Sequence, residues 1–345
     1  MAEVQNKKKG STKGKSIKKG SPTKRSFFFK PATIILTVLL SLLLLLGIIY
    51  FVRVQQWFAA PIIKEVERKA PLVGTVGKEE KILKVPLPVE EYHKIHRTPR
   101  EGYDPLRPQN GPLVAIIVDD LGADLALMQA FLDLQLNITA AILPNVPHAR
   151  AVAEMAHADG REVLLHIPME PQNYPTIDPG ENALLVALSP AEVQERLHSY
   201  LQTVPWVVGA NNHMGSRFTE SREGMRGVLQ TLKDLGLFFV DSRTTANSVA
   251  IIEAKKIGIA HAGRDVFLDN DINEDDIRRQ IRKLVEIAIA EGSAIGICHP
   301  HLETVAALKM EAPSFAAAGV TLVAASALVQ YYDGQRASGS ASPAI

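Results

Sequence analysis

The chain has 345 residues, a length that accommodates one large domain or two ordinary ones. Its net charge of +1 hides an asymmetry, because the first thirty residues hold ten Lys and Arg and one acidic residue, whereas the remainder holds 28 basic and 36 acidic residues. An acidic remainder argues against a nucleic-acid partner, since such binding needs a basic surface on the folded part. The single cysteine, Cys298, excludes an intramolecular disulfide.

The N-terminal region predicts a membrane anchor. After a basic tail at residues 1–31, residues 32–52 carry no charged side chain and would span about 31 Å as a helix, which suffices to cross a bilayer. By the positive-inside rule the tail is cytoplasmic and the main domain is periplasmic or otherwise extracytoplasmic. A cleaved signal peptide is the alternative, but Trp57 and Phe58 occupy the place where small residues are required, which favours a retained single-pass anchor in the inner (cytoplasmic) membrane.

Three further segments follow the anchor. Residues 53–111 are rich in proline and charge without a regular period, which predicts a spacer between the membrane and a folded domain. Residues 112–329 carry the pattern of a folded domain. Residues 330–345 are small and polar, and we expect a flexible tail there.

Within residues 112–329 short apolar runs alternate with amphipathic stretches, which indicates parallel strands joined by helices. Ser189, Pro190 and Glu192 have the pattern of a helix start, and residues 274–291 have one apolar stripe. We therefore predict an α/β fold: a distorted (β/α) barrel of seven or eight strands, preceded by a single N-terminal transmembrane helix. An open doubly wound sheet is the alternative. The predicted strands are Leu113–Asp119, Ile138–Leu143, Glu162–Ile167, Trp206–Asn211, Leu237–Asp241, Ala294–Cys298 and Val320–Ala325.

Polar residues follow five of these strands. In either architecture the carboxyl ends of the strands form the functional face. Adjacent carboxylates such as Asp119 and Asp120 repel each other unless a cation or a proton intervenes, and a carboxylate with two imidazoles is a common zinc-binding set. The pattern predicts metal-activated hydrolysis. The strand-end residues are Asp119, Asp120, His166, Glu170, Asn211, Asn212, His213, Asp241, Arg243, His299 and His301.

The segments around these residues read IVDDLG, LLHIPME, NNHMGS, VDSRTT, VFLDND and IGICHPH. In this order they resemble the divergent polysaccharide deacetylase family of bacterial envelopes. The resemblance implies a distorted barrel, a divalent metal that is commonly Zn²⁺, and hydrolysis of N-acetyl or O-acetyl groups on a glycan.

The resemblance also implies roles for individual residues. Asp119 corresponds to the general base, and Asp120, His166 and His213 are expected to bind the metal. The histidine that protonates the leaving amine corresponds to His299, with His301 as the close competitor.

The chain departs from the wider superfamily at two motifs. Glu170 stands where the second histidine of a His-x-x-x-His motif is usual, and the segment from Asn212 to Gly215 replaces an Arg-x-Pro-Tyr-Gly motif. Glu170 is expected as a fourth ligand or as a residue that positions the ligands. Asn212, Asp241 and Arg243 are expected to contact the substrate or to position the ligands.

These expectations lead to a metal-dependent deacetylase acting on an envelope glycan, in contact with the lipid bilayer through residues 32–52. One alternative is a catalytically inactive protein that binds glycan or cell-wall remodelling proteins through the same cleft. Another is a metal hydrolase that acts on a different ester or amide.

Overall fold

The computed structural model describes residues 111–337. Nine strands alternate with eight α-helices in this part of the chain. The strands are β1 (Leu113–Leu121), β2 (Ile138–Ile142), β3 (Glu162–Met169), β4 (Val207–Met214), β5 (Phe238–Asp241), β6 (His261–Gly263), β7 (Val266–Phe267), β8 (Ser293–Cys298) and β9 (Thr321–Leu322). The helices are α1 (Leu125–Asp133), α2 (Ala149–Ala158), α3 (Pro190–Thr203), α4 (Arg222–Asp234), α5 (Ala250–Ile257), α6 (Glu274–Glu291), α7 (Leu302–Ala317) and α8 (Ala325–Ala337).

The strands form one parallel sheet in the order β6-β5-β4-β3-β2-β1-β8-β7, with β9 beside the start of β1. If the two ends of this order were joined, neighbouring strands would follow the chain from β1 to β8, as they do in a closed barrel. Among the described strands, β6 and β7 are not hydrogen-bonded to each other, so the barrel is cut at that point. The architecture is a curled half-barrel, and the alternative of a doubly wound sheet is wrong because no switch in strand order separates two halves.

All seven predicted strands are present, whereas β6 and β7 were missed because they have three and two residues. The predicted helix start at Ser189 and the predicted helix at residues 274–291 are confirmed. Ser189 caps α3 in a capping box with Glu192, and α6 spans the predicted 274–291, with Asn273 as its cap.

Apolar side chains alternate between two cores along each strand. In β1, Ile116 and Val118 face the surrounding helices, whereas Ala115 and Ile117 face the concave side of the sheet. Helix α8 fills the concave side, where Leu328 packs against residues of several strands. The backbone N–H groups at the start of α8 bond to side chains at the amino-terminal ends of β2 and β3, so α8 occupies that end of the curl. The carboxyl ends of the strands hold the polar residues.

Helix α8 passes residue 330, where the sequence predicts a flexible tail, and continues to Ala337. It does so because Tyr332 is buried and its hydroxyl accepts a hydrogen bond from Ser293 Oγ at 3.1 Å. Within residues 111–337 no helix has the length and apolar character needed to cross a membrane. The predicted span at 32–52, the tail at 1–31 and all of the spacer except its last residue lie outside the described residues.

Candidate active site

The end of β1 brings two neighbouring carboxylates to one place. In a regular strand Asp119 and Asp120 would point to opposite faces of the sheet. Both nevertheless lie close to the His166 ring, because the backbone at Asp120 enters the left-handed region with φ +55° and the pairing with β2 is irregular there. The Oδ2 atom of Asp119 lies 3.7 Å from His166 Nε2, and Asp120 Oδ1 lies 3.0 Å from the same nitrogen.

Asp120, His166 and His213 form a group of potential metal ligands. His213, near the end of β4, places its Nδ1 atom 2.7 Å from Asp120 Oδ1. The three potential ligand atoms all lie within 4.8 Å of one another. Asp120 Oδ1 is buried and has no hydrogen-bond partner of good geometry among the described residues. A carboxylate oxygen that lies between two imidazole nitrogens and lacks a hydrogen-bond partner fits a divalent metal. One carboxylate and two imidazoles form a donor set that zinc accepts.

Asn211 connects this group to Asp119, although no role was predicted for it. Its Oδ1 atom lies 2.8 Å from His166 Nδ1, while its Nδ2 atom donates to Asp119 Oδ1 at 2.6 Å and to Ser242 Oγ at 3.3 Å. Since the amide oxygen is an acceptor, it selects the His166 tautomer with the proton on Nδ1, which leaves Nε2 free for a metal. Alternation along β4 places Asn211 on the same face as His213, and this signal was available in the sequence.

His299 lies at the opposite edge of the group and is held by Asp269. Its Nδ1 atom is 2.9 Å from Asp269 Oδ1, and its backbone N–H donates to Asp269 Oδ2 at 2.6 Å. Its Nε2 atom lies 4.0 Å from Asp120 Oδ2. His301 occupies the N-cap position of α7 without a side-chain capping hydrogen bond, and its ring centroid is 6.3 Å from that of His299. The geometry therefore favours His299 over His301 as the imidazole that acts at the site.

Burial and charge set the protonation of these groups. Burial acting alone would lower the pKa of His166, but the negative charges of Asp119 and Asp120 outweigh it and raise that pKa to about 9. Burial raises the pKa of Asp119. The pKa of Asp120 falls well below its ordinary range because the two imidazoles overcome the effect of its burial. Burial would lower the pKa of His299 as well, but the Asp269 carboxylate raises it overall.

Glu170 is not part of the group of potential metal ligands, and it joins two loops. Its side chain is buried; Oε1 accepts from Arg217 Nη1 at 2.6 Å and Oε2 accepts from the Val186 backbone N–H at 2.6 Å. Its backbone carbonyl accepts from the N–H groups of Arg217 and Phe218. Glu170 thus joins the long loop after β3 to the turn that follows His213.

Asn212 and Asp241 also shape loops. Asn212 Oδ1 accepts from the Ser242 N–H at 2.9 Å, and its Nδ2 atom donates to the Met214 carbonyl at 2.9 Å. Asp241 accepts from the Arg243 N–H at 2.9 Å and from Ser248 Oγ at 2.8 Å. Both residues therefore join neighbouring strand ends.

Two arginines lie at the ends of β5 and β6. The Arg243 guanidinium lies against Gly263, whose added Cβ would come within 2.7 Å of Arg243 Nε. Arg264, which the sequence analysis did not single out, donates from Nε to the Ser242 carbonyl at 2.7 Å. Its only sequence signal was its position after a strand too short to recognise.

The family model described as divergent polysaccharide deacetylase matches residues 116–329. The chain belongs to this family. The resemblance noted from its strand-end motifs is therefore confirmed, and the matched residues include all the strand-end residues described above.

Among relatives in this family, the protein YibQ of Escherichia coli (strain K12) is 38% identical over 216 residues, which cover 63% of this chain and 67% of YibQ. A protein of Haemophilus influenzae (strain ATCC 51907 / DSM 11121 / KW20 / Rd) is 37% identical over 196 residues, covering 57% of this chain and 69% of the relative. The crystal structure of ATU2773 from Agrobacterium tumefaciens C58 has a TM-score of 0.62 and 29% identity, and covers 70% of this chain and 94% of that one.

Replacement of Glu170 tests whether it binds metal or joins the loops. We expect Glu170→Ala to lower the free energy of unfolding by about 1 to 3 kcal/mol, because the Val186 N–H and the Arg217 guanidinium lose their acceptor. The number of metal ions bound per chain should stay unchanged. Denaturant unfolding and elemental analysis measure the two quantities, with Glu303→Ala on the exposed start of α7 as the control. Loss of the metal with unchanged stability would identify Glu170 as a ligand instead.

Proposed function

We propose that this protein is a metal-dependent hydrolase that removes acetyl groups from a glycan of the cell envelope. The observation that carries the proposal is the convergence of Asp120, His166 and His213 within 4.8 Å, with Asp119 and His299 close to the same group. Family membership supports a glycan as the substrate class.

A zinc ion held by Asp120, His166 and His213 would polarise the acetyl carbonyl and lower the pKa of the attacking water. Asp119 accepts a proton from that water as its oxygen bonds to the acetyl carbon. Asn211 holds Asp119 at 2.6 Å and thereby fixes the direction of its carboxylate. When the carbon–nitrogen bond breaks, His299 donates a proton from Nε2 to the leaving amine, while Asp269 holds the opposite ring nitrogen.

Substitutions at the carboxylate pair separate metal binding from proton transfer. Asp120→Asn should lose most of its zinc, whereas Asp119→Asn should retain zinc and lose hydrolysis by about 10² to 10⁴, the usual effect of removing a general base. Elemental analysis measures bound zinc, and acetate release from N-acetylated chitotetraose measures hydrolysis. His301→Gln serves as the control and should retain both zinc and hydrolysis.

Two outcomes would contradict the proposal. Full acetate release by Asp119→Asn would remove its assigned role. A wild-type protein that binds the oligosaccharide without releasing acetate would support the catalytically inactive alternative. Hydrolysis of 4-nitrophenyl acetate but not of acetylated glycans would instead favour a hydrolase of a different ester or amide.

The pH dependence of acetate release should be bell-shaped, because Asp119 must be deprotonated and His299 protonated. The acidic limb lies above the ordinary aspartate pKa of about 4, because burial raises the pKa of Asp119. Asp269→Asn removes the charge that raises the pKa of His299, so the basic limb should move to lower pH while the acidic limb stays. Profiles of kcat/KM between pH 4 and 10 test this, and an unmoved basic limb would contradict the assignment of His299.

Envelope location is part of the proposal and rests on the uncharged segment at residues 32–52 behind a basic tail. Alkaline phosphatase, which is active only after export, should be active when fused after residue 60. Activity of a cytoplasmic reporter at the same fusion point would contradict the orientation.

A further inference from the structure

The arginines at the ends of β5 and β6 differ from most others in the described part of the chain. Most arginines there pair with a carboxylate within 4.0 Å, as Arg217 does with Glu170 and Arg226 with Glu253. Neither Arg243 nor Arg264 has such a partner among the described residues. Arg264 donates to the backbone carbonyls of Ser242 and Arg243, whereas the Arg243 guanidinium makes no hydrogen bond within residues 111–337.

The backbone holds Arg243 in a costly conformation. Its φ of +50° lies in the left-handed region, which costs a residue with a side chain on the order of 1 kcal/mol. Two contacts maintain it: the Arg243 N–H donates to Asp241 Oδ1 at 2.9 Å, and its carbonyl accepts from Arg264 Nη2 at 3.0 Å. Asp120 at the potential metal site and Met214 directly after His213 share this conformation, as do Gln135, Asn182 and Trp206 elsewhere in the described residues. Strain of this kind concentrates at functional sites.

The two guanidinium groups are close enough to repel each other. Burial lowers the pKa of Arg264, and the positive charge of Arg243 lowers it further. The charges of Asp119, Asp241 and Asp265 act on Arg264 in the opposite direction. None of these carboxylates pairs directly with either guanidinium within the described residues, and Asp241 and Asp265 accept from Ser248 Oγ and the Ile295 N–H instead. An anion bound beside the pair would supply the direct, charge-assisted acceptor that these carboxylates do not.

The pair is connected to the potential metal site through two residues. Ser242, whose carbonyl accepts from Arg264, places its hydroxyl 3.3 Å from Asn211 Nδ2, and Asn211 contacts both Asp119 and His166. Like the metal-ligand candidates, both arginines follow the carboxyl ends of their strands. The charge of Asp119 also acts on Arg264, so the pair lies near the carboxylate beside the potential metal ligands.

We infer that Arg243 and Arg264 form a subsite for an anionic group, and that the substrate is an acetylated glycan carrying a carboxylate or phosphate near the acetyl group that is removed. That the bound glycan is a substrate rests on the proposed function. The anion subsite itself does not require turnover. Guanidinium groups bind both anions through paired hydrogen bonds, so the shared chemistry is a group with two or more anionic oxygens.

Binding to the full-length protein tests the subsite. The probes are the tetrasaccharide of hyaluronan, which alternates N-acetylglucosamine with a carboxylate sugar, and neutral N-acetylated chitotetraose of the same length. We expect the anionic oligosaccharide to bind at least about tenfold more tightly, the effect of one charge-assisted interaction. Arg243→Gln should abolish that preference, and Arg243→Lys should retain part of it. N-acetylglucosamine 6-phosphate compared with N-acetylglucosamine distinguishes a phosphate from a carboxylate ligand.

The matched control is Arg279→Gln, which removes an exposed arginine on α6 and should leave the preference unchanged. Isothermal titration calorimetry measures binding, and thermal unfolding checks that each variant is folded. Equal affinities for the two tetrasaccharides, no binding of either, or a preference that survives Arg243→Gln would each overturn the inference. Anion preference without acetate release would instead reject the proposed function and retain the subsite.

Discussion

Two consecutive carboxylates at the end of β1 are the constraint on which the rest of the site depends. Asp119 is buried and Asp120 is the next residue, and neighbouring negative charges, one of them buried, are unfavourable without nearby positive charge. The fold supplies His166 from β3, His213 from β4 and His299 from β8. A metal would compensate the same charge more completely, because it contacts the carboxylate and the imidazoles at once.

The curl of the sheet makes this compensation geometrically feasible. β1 lies between β2 and β8, so side chains at its carboxyl end can meet residues from β3 on one side and from β8 on the other. Helix α8 fills the opposite end of the concave side with apolar residues. The imidazoles and carboxylates of the site gather at the other end, where Asn211 distributes hydrogen bonds between an imidazole and a carboxylate.

Glu170 shows how a buried carboxylate close in sequence to His166 can hold loops together without belonging to the group of potential ligands. Its side chain accepts hydrogen bonds from the loop after β3 and the turn after His213, and the three potential ligand atoms come from other residues.

Arg264 contacts residues on both sides of the gap between β6 and β7. There Arg264 lies over the Phe267 ring, with its charge centre 5.0 Å from the ring centroid, and reaches the end of β5.

The sequence alone determined the fold class, seven of the strands, the start of α3 and most of the strand-end residues, because each depends on local hydrophobic period, capping or turn chemistry. Its motifs also indicated the family. The structure decided that the barrel is cut between β6 and β7, that Asn211 rather than Asn212 contacts His166, and that Glu170 contacts Arg217. The reason is physical: strands of two or three residues carry no detectable period, and the partner of a buried polar group is set by residues distant along the chain. Asp119 and Asn211, for example, are 92 residues apart, and only the pairing of the strands brings their side chains within 2.6 Å.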